Sequence, residues 1–172
     1  MGTQREGSFN GFSTDTLDFL RNLRANNHKV WFEDHKQDYQ NYVLRPLQDL
    51  VTDLSSFMLT IDPLLETRPG VDKTISRIYR ATRFSKDKSP YKSTIWITFK
   101  QPNRNWKDAP VYFLEICPDA YRFGMGVLWL RGSNIRGYWL GTSLWNCKTG
   151  INERTFIWYA IERLTTGFLA GS

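Results

Sequence analysis

The residues best suited to chemistry in this 172-residue chain lie between positions 73 and 92, here called the basic segment. The basic segment contains seven cationic side chains and one acid, Asp87, so its net charge is +6, equal to the formal net charge of the whole chain. Like charges at this density repel one another, which indicates either a solvated face or an anionic partner. The cations are Lys73, Arg77, Arg80, Arg83, Lys86, Lys88 and Lys92.

The side chains of the basic segment suit a phosphate-bearing ligand. Arginine contacts phosphate or carboxylate through a planar fork, and lysine adds charge. Tyrosine rings offer faces on which a base or another flat group stacks. An alternative interpretation is that the charges protect a solvated edge strand from pairing with another chain. The predicted ligand-binding residues are Arg77, Tyr79, Arg80, Arg83, Ser85, Lys86, Lys88, Tyr91 and Lys92.

A second candidate for chemistry lies in the stretch of aromatic and charged residues before position 40. Histidine titrates near neutral pH, so His35 is a candidate for proton transfer, as is the carboxylate of Glu33. His35 and Tyr39 are four residues apart, which places them on one face of a helix. A metal site at His35 needs further ligands that the sequence does not identify, so none is predicted. The competing interpretation makes His35 a surface or capping residue beside core aromatics.

Composition limits the class of protein. A length of 172 residues with 41% hydrophobic and 15% aromatic residues predicts one folded domain, residues 1–172, with a substantial core. Cys117 and Cys147 form neither a disulfide framework nor a metal-binding pair. No apolar run approaches the roughly 20 residues that span a bilayer, and the N-terminus lacks the apolar stretch of a signal peptide. We therefore expect a soluble cytoplasmic protein that has no membrane partner.

Apolar periodicity predicts helices in the first third of the chain. A helix begins at Ser13 or Thr14 and ends at residues 26–27, and a second runs over about 31–44. Pro46 predicts a kink or break at Arg45, after which a third helix continues to about Phe57. Residues 1–12 are predicted to be a flexible lead-in. The helical residues expected to be buried against a sheet are Leu17, Leu20, Trp31, Phe32, Val43, Leu47, Leu50 and Leu54.

The hydrophobic period changes after the helices. Residues 75–79, 94–99, 111–117 and 121–125 are rich in β-branched and aromatic side chains and predict strands. Residues 101–110 suit a hairpin loop, and the glycines at 124 and 126 indicate a bend or bulge in the last of these strands. Helices followed by neighbouring strands predict an α+β fold, with N-terminal helices packed on a mainly antiparallel sheet.

Residues 127–172 form a tail of different composition. Four of the seven tryptophans lie there, glycines recur at irregular intervals, and residues 155–164 alone suggest a helix. Two interpretations are open: a divergent C-terminal region, or a shifted reading frame near residue 127. Poor packing of the tail is expected on either interpretation.

Three segments of the sequence occur in order: TLDFLRNLRANNHKVWFEDHKQDYQNYVLRPLQDLV (16–51), ISRIYRATRFSKDKSPYK (75–92) and YRFGMG (121–126). Over residues 12–126 the chain resembles the family called domain of unknown function 2461. The resemblance implies a single α+β domain and no particular reaction. Members of the family typically have Asp where this chain has Ala81, so any role of that carboxylate is lost here.

Three functional hypotheses follow from the sequence. The first is a binding protein for a phosphate-bearing ligand, a nucleotide or nucleic acid, held by the basic segment. The second is an enzyme on a phosphorylated or carboxylated substrate, with His35 or Glu33 moving protons. The third is an interaction module whose basic face meets an acidic protein. They differ in whether His35 or Glu33 faces the basic segment across a pocket. The sequence does not indicate which cofactor, if any, the protein binds.

Overall fold

The computed structural model describes residues 9–83, 87–102, 109–131 and 134–146, with side chains up to Met125. The predicted first helix is present, and Ser13 is its N-cap. The predicted second helix is present in pieces that end in a π-helical turn, and the third helix ends at Ile61, beyond Phe57. The elements are α1 (Thr14–Ala25), α2 (Lys29–Asp34), α3 (Lys36–Asp38), the π-helical turn (Tyr39–Leu44) and α4 (Arg45–Ile61).

Of the kink or break predicted at Arg45, the break does not occur, and a π-helical turn ends directly before this residue. Arg45 keeps helical dihedral angles, and its amide N–H donates to the Gln40 carbonyl five residues back, which is π-helical spacing. A regular α-helix would direct the Tyr42 carbonyl at the N–H of residue 46, which proline lacks. The buried Thr16 hydroxyl of α1 donates to that carbonyl over 2.6 Å. A donor from the neighbouring helix therefore replaces the one that proline removes.

The second half of the described chain forms an antiparallel sheet, as predicted. The strands are paired in the order β1-β2-β3-β4, each antiparallel to the next. A register shift between Gly124 and Met125 is the irregularity that the glycines indicated. The α+β fold with N-terminal helices is therefore confirmed. The strands are β1 (Ile95–Phe99), β2 (Pro110–Ile116), β3 (Ala120–Arg131) and β4 (Asn134–Asn146).

One hydrophobic core joins helices and sheet. Alternate residues of β1 point into it, because successive side chains of a strand face opposite sides. Of the helical residues expected in the core, Leu20, Phe32, Val43, Leu47 and Leu50 are buried, whereas Leu17, Trp31 and Leu54 are partly buried against it. Full burial of one such side chain stabilises the fold by about 1.5–3 kcal/mol.

The predicted strand at 75–79 does not form. Ser76 donates its amide N–H to the Trp96 carbonyl on the edge of β1, whereas the Ile78 carbonyl accepts from the amide of Lys92. The segment thus changes its pairing partner within two residues, and isolated bridges take the place of a continuous ladder. The chain can therefore leave the sheet at this point and turn toward the helices.

The described residues include part of the predicted lead-in and part of the tail. Phe9 and Phe12, in the predicted lead-in, pack against the core, and the Phe9 amide donates to Asp53 over 2.8 Å. The backbone of residues 127–131 continues β3, and residues 134–146 form β4. The helix suggested at 155–164 lies outside the described residues, as does Cys147. None of the described helices is long and apolar enough to cross a membrane.

We expect Thr16→Val to lower the free energy of unfolding by about 1–3 kcal/mol, because it removes a buried donor and leaves the Tyr42 carbonyl unpaired. Urea denaturation of the purified protein measures this loss. The control is Thr52→Val, since the Thr52 hydroxyl donates to a carbonyl within its own helix, that of Gln48. Equal losses in the two variants would contradict the replacement role given to Thr16.

Candidate functional site

A cleft of about 440 Å³ lies between the helical run of residues 29–44 and the loop of residues 71–79. This volume is in the range of small-molecule sites, roughly 300–1,000 Å³. The helical residues of the cleft recur at intervals of three or four and so share one face. The cleft is lined by Phe32, Lys36, Tyr39, Gln40 and Leu44 on the helical side, and by Val71, Asp72, Arg77, Ile78 and Tyr79 on the loop side.

An aromatic cluster around Phe32 forms the wall of the cleft. The Phe32 ring stacks on Tyr91 with centroids 4.2 Å apart, and it contacts Tyr39 at 5.6 Å and Tyr79 at 6.1 Å. Tyr91 is only 2% exposed, whereas Tyr79 is 53% exposed. The cluster thus has a buried base and one accessible ring, and a flat ligand can stack on that ring.

Two tyrosines of the cluster have perturbed acidities. Burial, together with the nearby Tyr79, raises the pKa of Tyr39 to about 12. Burial likewise raises the pKa of Tyr91, with smaller effects from Tyr79 and Glu33. Both phenols therefore stay protonated in neutral and mildly alkaline solution, where their hydroxyl groups are hydrogen-bond donors.

A cation stands on each side of the cleft. On the loop side, Arg77 donates from Nε to the carboxylate of Asp72. On the helical side, Lys36 lies 3.3 Å from the Glu33 carboxylate. All four side chains are about half exposed or more, and exposed pairs of this kind contribute only about 0–1 kcal/mol. Both cations are therefore available for exchange onto an incoming anion.

Asp72 occupies an unusual backbone conformation at the mouth of the cleft. Its φ is 68°, in the left-handed region that side chains other than those of Asn and Asp seldom adopt. Its amide N–H donates to the Ile75 carbonyl over 2.9 Å, which closes the turn. The turn holds the Asp72 carboxylate beside the Arg77 guanidinium. An anion that bound this guanidinium would have to displace the carboxylate.

Asn27 fixes the buried end of the basic segment to the helices. Its side-chain amide donates to the Tyr91 carbonyl over 2.9 Å, and its side-chain oxygen accepts from the Tyr91 amide over 3.0 Å. The Asn27 side chain thus pairs with both backbone groups of Tyr91, as a neighbouring strand would. This clamp holds Tyr91 where its ring stacks on Phe32.

The Arg80 side chain makes its contacts mainly with other residues of the basic segment. Its Nη1 lies 2.8 Å from the Asp87 carboxylate, its Nη2 lies 3.5 Å from the Tyr91 carbonyl, and its side chain is 28% exposed. Its Nε is buried and has no hydrogen-bond partner among the residues that the structure describes. The planar fork expected to hold a ligand is therefore already occupied in large part by Asp87.

The structure divides the predicted ligand-binding residues into groups. Arg77 and Tyr79 line the cleft, and Tyr91 lies behind it. Lys88 donates to the Thr82 carbonyl over 3.0 Å, away from the cleft lining. Arg83 is exposed, Lys92 is half-buried, and Ser85 and Lys86 lie outside the described residues.

Neither candidate for proton transfer lines the cleft. The His35 ring stacks on Trp31 with centroids 4.2 Å apart, and its Nδ1 lies 2.8 Å from the Trp31 carbonyl oxygen. The helical hydrogen bonds continue through His35, from its amide to Trp31 and from the Tyr39 amide to its carbonyl, but the ring packs on Trp31 and does not line the cleft. Glu33 forms an ion pair with Lys36 and lies close enough to Tyr91 to contribute to the raised pKa of that phenol.

Four polar residues of the cleft were not predicted as site residues: Lys36, Tyr39, Gln40 and Asp72. The signal for Lys36, Tyr39 and Gln40 was their helical spacing from Phe32, since residues three and four apart share a face. Their position opposite the basic segment depends on contacts between residues far apart in the sequence, such as Asn27 and Tyr91, which are 64 positions apart.

Comparison with known proteins gives one match. A family model described as "Conserved hypothetical protein (DUF2461)" matches residues 15–138, a range that includes both sides of the cleft and extends beyond residue 126, where the sequence resemblance was expected to end. No curated protein and no solved structure matches the chain.

We expect Asn27→Ala to lower the free energy of unfolding by about 1–3 kcal/mol, because the Tyr91 amide loses the partner that Asn27 gives it and the Tyr91 carbonyl is left with the long contact from Arg80. Chemical denaturation followed by tryptophan fluorescence measures the change. Asn26→Ala is the matched control, since the Asn26 side chain makes only an exposed contact with the Asn22 carbonyl. A loss for Asn27→Ala no larger than that of the control would show that the clamp does not hold the segment.

Proposed function

The chain belongs to the DUF2461 family of conserved hypothetical proteins, and we propose that it binds a small phosphate-bearing ligand with a flat ring, of the nucleotide class, in the cleft. The observation that carries the proposal is the position of two cations, Arg77 and Lys36, on the two sides of a cleft whose accessible wall is the Tyr79 ring. A phosphate between the cations and a ring stacked on Tyr79 would use all three side chains.

Exchange of ion pairs supports this mode of binding. An exposed carboxylate such as that of Asp72 gives Arg77 a weak partner. A phosphate carries more charge and accepts two parallel hydrogen bonds from a guanidinium, which makes it the stronger partner. The unused cations of the basic segment then act at longer range, by raising the local concentration of anions and the rate of association.

The shape of the site favours a small molecule over nucleic acid. A concave site of about 440 Å³ encloses a ligand of nucleotide size. A nucleic acid would instead be expected along an open row of cations, and here Arg80 and Lys88 are engaged with Asp87 and Thr82. The alternatives of an enzyme using His35 or Glu33 and of an interaction module receive no support from the cleft and stay predictions.

We expect Arg77→Ala to weaken binding of uridine monophosphate at least tenfold, because a charge-assisted contact contributes about 1.5–3 kcal/mol. Arg77→Lys should recover only part of this loss, since an ammonium cannot form the planar fork. Isothermal titration calorimetry at low ionic strength measures the affinity, which should fall as salt is added. The control is Arg21→Ala, because Arg21 forms a similar exposed pair with Asp18 outside the cleft lining. Unchanged affinity in Arg77→Ala, or no binding by the unmodified protein, would overturn the proposal.

A second variant tests where the anion binds. Asp72→Asn removes the internal competitor for Arg77 and keeps a side chain that tolerates positive φ, so affinity for uridine monophosphate should rise several-fold. The matched variant is Asp87→Asn, which frees Arg80 instead. A rise confined to Asp87→Asn would place the anion at Arg80 and would contradict binding in the cleft.

A further inference from the structure

Tyr39 has an unusual combination of burial and position. The residue is only 6% exposed, yet it lines the cleft. Its ring packs between Phe19 at 6.0 Å and Phe32 at 5.6 Å, which fixes the direction of the hydroxyl. That hydroxyl lies close enough to the Tyr79 side chain, on the opposite side of the cleft, for the two to interact electrostatically.

The Tyr39 hydroxyl makes no hydrogen bond to any residue in the part of the chain that the structure describes. Its oxygen is not among the fully enclosed atoms that lack a partner in the described part of the chain, so the hydroxyl keeps access to solvent. A ligand that displaces this solvent must supply the partner that the hydroxyl loses, because an unpaired buried hydroxyl is unfavourable. A hydroxyl in a cleft wall finds that partner in whatever fills the cleft. As a protonated phenol it offers one donor hydrogen.

We infer that the Tyr39 hydroxyl is a specificity-determining group, which selects ligands whose flat ring carries a hydrogen-bond acceptor at the edge that enters the cleft. This inference rests on the proposed function, since it assumes that the ring stacks on Tyr79 while the phosphate binds Arg77 and Lys36. It narrows the ligand class to heteroaromatic phosphates, in which a ring nitrogen or carbonyl oxygen accepts from Tyr39. Plain aryl phosphates fill the same space and leave the hydroxyl unpaired.

This selection follows from the free-energy penalty of burying a hydrogen-bond donor without an acceptor. A site built around a hydrogen bond discriminates strongly against an analogue that lacks the acceptor, because the protein's donor is then buried without a partner. One neutral hydrogen bond corresponds to a preference of about tenfold. The apolar residues beside Tyr39, among them Phe32 and Ile78, offer its hydroxyl no acceptor when an aryl phosphate fills the cleft.

The test compares probes that differ in a single ring atom. Phenyl phosphate has no acceptor in its ring, whereas pyridin-3-yl and pyridin-4-yl phosphate place a nitrogen at two positions along the edge. We expect the unmodified protein to bind at least one pyridinyl phosphate about tenfold more tightly than phenyl phosphate, as measured by calorimetry. Tyr39→Phe should abolish this preference by raising the affinity for phenyl phosphate, because the variant has no donor to leave unpaired.

Two controls separate the possible failures. Tyr112→Phe alters another buried tyrosine, one that does not line the cleft, and should keep the preference. Tyr39→Phe should unfold at the same temperature as the unmodified protein or higher, because it removes a hydroxyl that lacks a protein partner.

The outcomes are distinct. Equal affinity of the unmodified protein for phenyl and pyridinyl phosphates overturns the role of Tyr39 and leaves the proposed function standing. A preference for pyridinyl over phenyl phosphate that persists in Tyr39→Phe likewise overturns the role of Tyr39 and leaves the proposed function standing. A melting temperature lowered by several degrees in Tyr39→Phe shows that the hydroxyl is structural and also overturns the inference. Absence of binding to all three probes and to uridine monophosphate overturns the proposed function itself, and the inference with it.

Discussion

The stacking of Phe32 on Tyr91 is the contact on which the site depends. It joins the helical run to a segment almost sixty positions later in the chain, and the Asn27 side chain holds the backbone of Tyr91 in place for it. The contact of Phe32 with Tyr79 and the burial of Ile78 extend the same packing to the loop of residues 71–79. The cleft, its two cations and the accessible Tyr79 ring lie around this packed cluster.

The attachment is possible because the basic segment leaves the sheet. Ser76 pairs with the edge of β1, and Ile78 pairs with Lys92 instead, so the chain turns away from the strand direction between them. On the helical side, a comparable irregularity occurs where Pro46 follows a π-helical turn whose free carbonyl is satisfied by Thr16. Both departures from regular structure keep their backbone groups paired, which is why they are compatible with a buried core.

The role of each arginine in the basic segment depends on its ion pair with a nearby carboxylate more than on the net charge of the segment. The basic segment has a large net charge, but Arg77 and Arg80 each have a carboxylate partner, Asp72 and Asp87. The Arg80 pair is partly buried and joined to the backbone of Tyr91, so it stabilises the segment. The Arg77 pair is exposed and borders the cleft, so the same residue type has a different role a few positions away.

Sequence by itself determined the class of fold, the helices and strands with clear periodicity, the concentration of cations and most of the core, because these depend on local spacing and hydrophobicity. It singled out Arg77 and Tyr79, but grouped them with Arg80 and Lys88 and chose His35 over Lys36 on the helix. Only the tertiary structure decided which side chains face one another. The His35 ring stacks on Trp31 instead of lining the cleft, the change of pairing at Ser76 redirects the loop, and the contact of Asn27 with Tyr91 spans 64 positions. Such long-range contacts depend on the packing of the whole domain, which no local pattern of residues encodes.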